Sequence, residues 1–128
     1  MHTATSKSTV LIVEDDEESR DTLREVLELE GYKVQTAVNG QEALARLNTP
    51  DERICIMLLD LFMPVMDGWQ FLAEIERDRE LADLPVTVVS GAGDRVSGIG
   101  RRRYLRKPVT SATLVAAVRA SAGRSAIT

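Results

Sequence analysis

Apolar runs alternate with amphipathic stretches five times along this chain, and that alternation predicts its architecture. Thr9–Val13, Lys33–Ala37, Ile54–Leu59, Val86–Val89 and Arg103–Leu105 read as short strands. Between them, Leu23, Val26 and Leu27 form a helical stripe, as do Ala43, Leu44 and Leu47, and then Leu72 and Ile75; Leu114, Val115 and Val118 mark a last helix. Start and stop signals agree. Asn39 followed by Glu42 has the form of a capping box, Asp67 and Thr110 are placed to cap the third and last helices, and Gly31 to end the first. Regular strand–helix alternation implies an α/β domain, a (βα)5 doubly wound parallel sheet with helices on both faces.

Chemistry enters where the strands end. The run Ile54–Leu59 is followed directly by Asp60, and the run Val10–Val13 by Glu14-Asp15-Asp16. A strand buried on both faces has no use for a carboxylate, so these charges belong where the strands leave the sheet. Ligands of such sheets bind at the carboxyl ends of the strands. In the strand order 2-1-3-4-5 the first and third strands are neighbours, which brings the acids into one pocket. That arrangement calls for a divalent cation, and with it phosphate chemistry. Asp16, Glu17 and Glu18 are better placed to stabilise the positive end of the first helix than to bind metal. Ser90 ends the fourth strand, Tyr104 lies within the fifth, and Lys107-Pro108 follows it. Trp69, Phe71 and Met57 read as core.

Composition narrows the classes. With 20 acidic and 16 basic residues the net charge is −4, which gives no general affinity for nucleic acid. The single cysteine, Cys55, lies in an apolar run and reads as a small buried hydrophobe. No stretch is apolar enough for a membrane span, and residues 1–8 lack the apolar centre of a signal peptide. The expected organisation is a disordered tail over 1–8, one domain over 9–120 and a frayed tail over 121–128. A cytoplasmic monomer without a DNA-binding domain is expected.

Taken in order, these residues resemble the receiver domain of bacterial two-component response regulators, close to the stand-alone chemotaxis type, a flavodoxin-like fold. The resemblance runs from Thr9 to Arg119. It rests on the acids after strand one, Asp60 within Asp-Leu-Phe-Met-Pro, Asp67-Gly68, Ser90, Lys107-Pro108 and the run Asn39-Gly40-Gln41-Glu42-Ala43-Leu44. It implies that Asp60 accepts a phosphoryl group from a phosphohistidine, presented by a histidine kinase or a phosphotransfer protein. It also implies a magnesium ion, with manganese as a substitute. The ion would be held by Asp15 and Asp60 directly, by Glu14 through water and by the Phe62 backbone carbonyl. Lys107 would pair with Asp60 and then with the phosphoryl oxygens. Ser90 and Tyr104 would form the switch, and the Lys107–Pro108 bond would be cis. A downstream protein would bind the face built by the family's fourth helix, fifth strand and fifth helix.

Departures from the family carry their own expectations. The stretch from Ser90 to Lys107 is short and holds Gly91, Gly93, Gly98 and Gly100, so the fourth helix should be cut to about one turn near Asp94–Ser97. Arg101, Arg102, Arg103 and Arg106 gather positive charge beside it, a surface suited to an acidic partner. Phe62 and Ala92, two positions beyond Asp60 and Ser90, cannot orient a water molecule, so a bound phosphoryl group should be lost slowly. A flavin- or nucleotide-binding module of the same architecture would want a glycine- or hydroxyl-rich phosphate loop after strand one, where Glu14-Asp15-Asp16 stands, and two further rivals remain. One is a receiver-like adaptor that works without phosphorylation. The other is a magnesium-dependent phosphatase with an aspartyl-phosphate intermediate; those enzymes resemble Asp-x-Asp, whereas the residue two beyond Asp60 is Phe62.

Overall fold

Five parallel strands form one sheet in the order β2-β1-β3-β4-β5, in a computed structural model that describes residues 9–49, 53–91 and 96–127, the side chains of 122–127 excepted. The strands are β1 (Thr9–Val13), β2 (Lys33–Ala37), β3 (Ile54–Leu59), β4 (Val86–Ser90) and β5 (Arg103–Arg106). They are joined by α1 (Glu17–Leu29), α2 (Gly40–Leu47) and α3 (Gly68–Glu76), and α4 (Ser111–Ile127) follows β5. The near-continuous apolar runs of β1, β3 and β4 are buried on both faces, as central parallel strands require, whereas β2 and β5 are partly exposed edges. Charges on β5, at Arg103 and Arg106, discourage a further strand from pairing there.

Two cores follow from the alternation of side chains. On one face Leu11, Met57, Leu59 and Val88 meet Ala43 of α2 and Phe71, Leu72 and Ile75 of α3. On the other, Val10, Ile12, Ile56, Leu58 and Val89 meet Leu27 of α1 and Leu114 and Val118 of α4. The caps form where signalled, although at Asn39 the box is incomplete, the Glu42 carboxylate accepting from the Val38 amide instead of the Asn39 amide. Asn39 accepts from the Glu42 amide, Asp67 and Gln70 form a capping box, and Thr110 accepts from the Thr113 amide. Gly31, at φ 93°, closes α1 with its amide on Glu28 and the Tyr32 amide on Leu27, the paired bonds of a left-handed helix stop.

The last helix is assigned as far as Ile127, past residue 121 where the frayed tail is expected to begin. Two burial expectations, those for Trp69 and Cys55, are corrected. Trp69 is half-buried at the rim of the core instead of inside it, and Cys55 is likewise half-buried. Among the described residues no helix lies between β4 and β5, in keeping with a shortened fourth helix; Ala92 and Asp94 lie outside the described residues, as do 1–8. None of the described helices is long and apolar enough to cross a membrane.

Candidate functional site

Register places the acids. Val13 of β1 pairs with Leu59 of β3, so Glu14 and Asp60 leave neighbouring strands at one level. The Asp60 amide donates to the Val13 carbonyl at 3.0 Å, and the Glu14 amide to the Ala37 carbonyl at 3.0 Å, which extends the ladder past both strand ends. Carboxylate oxygens of Glu14, Asp15 and Asp60 come within 4.8 Å of one another. Glu14 and Asp60 are buried, Asp15 exposed, so the pocket opens on the Asp15 side.

Asp16 does not join them. Its side chain caps α1, accepting from the Ser19 amide at 2.8 Å, and that bond holds its carboxyl below the ordinary 3.8. One residue the sequence reading passed over supports the turn: Arg20 donates to the carbonyls of Glu14 and Asp15, at 3.1 and 3.4 Å. A guanidinium offers several donors in a fixed fork, which suits it to two carbonyls of one turn.

Asp60 is held at both oxygens. Its Oδ1 accepts from the Leu61 amide at 2.8 Å, and its Oδ2 lies 3.7 Å from Lys107 Nζ. Behind it, the Gly68 amide donates to the Leu61 carbonyl at 2.9 Å, seating the start of α3 on the exit of β3. Only glycine fits there, since a Cβ would stand 2.6 Å from Leu61 Cα and 2.7 Å from the Asp60 carbonyl oxygen.

Lys107 reaches the pocket from the end of β5, where its amide donates to the Ser90 carbonyl and its bond to Pro108 is cis, as expected. Its nearer partner, however, is Glu14, at 2.5 Å, and Asp60 comes second. The expected lysine–Asp60 pairing is therefore modified: a buried acid cannot stay charged without a partner, and the ammonium serves it first. Burial pushes the Glu14 carboxyl up, and the Asp60 charge adds to this; the Lys107 and Asp16 bonds pull against it without cancelling it. For Lys107, burial acts to lower its pKa, but the Glu14 bond and the Asp60 charge outweigh it and the net direction is up.

The sequence profile of the response regulator receiver domain matches residues 10–119. The chain belongs to that family. This receiver domain is 40% identical over 124 residues to the transcriptional regulatory protein CpxR homolog of Haemophilus influenzae, covering 93% of this chain and 52% of the relative. It thus spans about half the length of the curated relatives it matches. Among solved structures it is similar to a response regulator receiver domain protein from Clostridium thermocellum (TM-score 0.82, 27% identity, 94% and 98% of the two chains). It is also similar to the chemotaxis protein CheY4 of Vibrio cholerae (TM-score 0.79, 26% identity, 91% and 99%).

Elsewhere in the receiver, Tyr104 packs in the α3-side core and its hydroxyl donates to the Ser90 carbonyl at 3.1 Å, which ties the two residues together. Ser90 is fully buried. Phe62 is half exposed, at 52%, and lies against Trp69. Of the four arginines near β5, Arg102 is engaged internally, with Glu76 at 3.0 Å and the Ile99 carbonyl at 2.9 Å, which leaves Arg101, Arg103 and Arg106 exposed.

Proposed function

We propose that this receiver domain accepts a phosphoryl group onto Asp60 from the phosphohistidine of a sensor histidine kinase or a phosphotransfer protein. One observation carries the reading: a buried carboxylate, fixed by its neighbour's amide, faces Lys107 at 3.7 Å within a cluster of three acids. An Asp60 oxygen attacks phosphorus, the phosphorus–nitrogen bond to imidazole breaks, the freed ring nitrogen takes up a proton, and Asp60 becomes an acyl phosphate. Such transfer depends on positioning and on neutralising charge more than on further covalent help.

Hard carboxylate oxygens in this number suit magnesium, and manganese can replace it. Asp15 and Asp60 would hold the ion, with Glu14 acting through water and Phe62 giving its backbone carbonyl. When bound, it neutralises charge on the phosphoryl oxygens and among the crowded acids. Lys107, kept within reach by Glu14, supplies a point charge to the phosphoryl group. Ser90 donates its hydroxyl to the same group, and Tyr104, tied to the Ser90 backbone, moves with it. The surface of residues 96–102, β5 and α4 then changes its affinity for a downstream protein, in the cytoplasm.

Intact-mass analysis after incubation with acetyl phosphate tests this. A gain of one phosphoryl group is expected with magnesium and none without it. No gain under either condition, or an equal gain under both, contradicts the reading.

A further inference from the structure

Trp69 takes no part in the chemistry proposed above, yet it is held on two sides, by the segment that follows β3 and by the segment that precedes β5. Its indole Nε1 donates to the Ser97 carbonyl at 2.6 Å. Its ring meets that of Phe62 edge to face, with centroids 5.1 Å apart and planes at 79°. Phe62 stands two positions beyond Asp60 at the exit of β3; Ser97 lies on the segment that leads into β5. The backbone of that segment passes close over the ring, since a Cβ on Gly98 would come within 3.3 Å of Trp69 Cδ1, and Gly98 takes φ 75°, a conformation that favours glycine. Two further contacts hold the same segment down: Ile99 is buried in the core, and Arg102 bridges Glu76 of α3 and the Ile99 carbonyl.

An indole has one donor and one rigid plane. A ring orientation that serves the Ser97 bond must also serve the Phe62 contact, so neither contact can change without loading the other. Where a helix would fill the space after β4, the described residues carry a segment stapled to α3 through this ring.

We propose that Trp69 is the joint of a coupling device: it links the β3 exit, through Phe62, to residues 96–102, through Ser97, so that the two order and loosen together. The linkage stands apart from the phospho-acceptor reading, and only its use as a switch rests on that reading.

Amide hydrogen exchange of residues 96–102 in the full chain tests it. Trp69→Phe keeps an aromatic ring but has no donor, and exchange there should quicken by about three- to tenfold, the loss of one ordinary hydrogen bond. Phe62→Ala keeps the donor and should quicken the same amides by roughly threefold, with β1 and β3 unchanged. The double variant should exchange no faster than Trp69→Phe alone, because both changes break one linkage. An unchanged segment in Phe62→Ala, or strictly multiplicative effects in the double variant, overturns the proposal. Phe62→Leu serves if the alanine variant folds poorly. Trp69 is the sole tryptophan, so its emission should also shift in Phe62→Ala. Phosphoryl uptake by the wild type separates the two readings. Uptake with an unresponsive segment rejects the joint alone; a responsive segment without uptake rejects the phospho-acceptor reading alone.

Discussion

Lys107 Nζ lies 2.5 Å from Glu14 Oε1, closer than to Asp60, so the lysine's first partner is the buried acid that follows β1. Glu14 is only 2% exposed, and its charge has few other ways to be satisfied. Removing the ammonium should therefore cost stability, by about 1–3 kcal/mol given the lysine's partial exposure. Urea unfolding of Lys107→Met checks this, with Glu14→Gln expected to cost less because Lys107 keeps Asp60 and solvent. The pH dependence has a definite sign. Lys107 binds its proton more tightly when folded, so its contribution is complete below the ordinary 10.5 and is lost as pH rises through the folded value. The penalty of Lys107→Met should fade above pH 10.5.

Gly68 permits the close approach of α3 to the β3 exit. Both atoms nearest to a hypothetical Cβ belong to backbone, at Leu61 and Asp60, and neither can swing aside. Gly68→Ala should destabilise the domain by about 1–3 kcal/mol, as overpacking does. It should also slow phosphoryl uptake, because the strain falls on Asp60. Urea unfolding and intact mass report the two effects separately.

Val65 carries strain of the opposite kind. It is a β-branched residue at φ 69°, 74% exposed, inside a tight turn closed by the Met66 amide on the Pro64 carbonyl at 2.7 Å. Such a residue rarely adopts this region, and glycine does so freely. Val65→Gly should raise stability by about 0.5–1 kcal/mol, the relief of strain exceeding the added chain entropy. Thermal unfolding that shows a clear loss would contradict it.

Metal affinity distinguishes Asp15 from Asp16. The carboxylate of Asp15 faces Glu14 and Asp60, whereas that of Asp16 is spent on the Ser19 amide. Asp15→Ala should lose most magnesium affinity in calorimetry, and Asp16→Ala little, its cost appearing as a less stable α1. A larger affinity loss for Asp16→Ala would shift the pocket by one residue.

Much of this was legible before the fold was known. The boundaries of β1, β2 and β3 all coincide with those read from the sequence, and for β1 and β3 this is because a continuous apolar run is what burial on both faces requires. β4 and β5 each run one residue further, since Ser90 and Arg106 pair through their backbones and polar side chains hide such pairing. The acids could be brought to one sheet edge by topology alone. Which of them Lys107 prefers depends on burial across 93 residues of sequence, which no local pattern encodes. Trp69 reads as core in the sequence for a similar reason: its partner, Ser97, is distant in sequence, and an aromatic at helical spacing looks the same whether it is buried or bonded at a rim.

The identity of the phospho-acceptor is tested most directly by intact-mass analysis of Asp60→Asn beside the wild type, each incubated with acetyl phosphate and magnesium. The variant keeps the side chain's shape, and the Leu61 amide can still donate to its amide oxygen, so it should fold normally. The wild type is expected to gain one phosphoryl group and the folded variant none. Equal labelling of the two would contradict the assignment of Asp60.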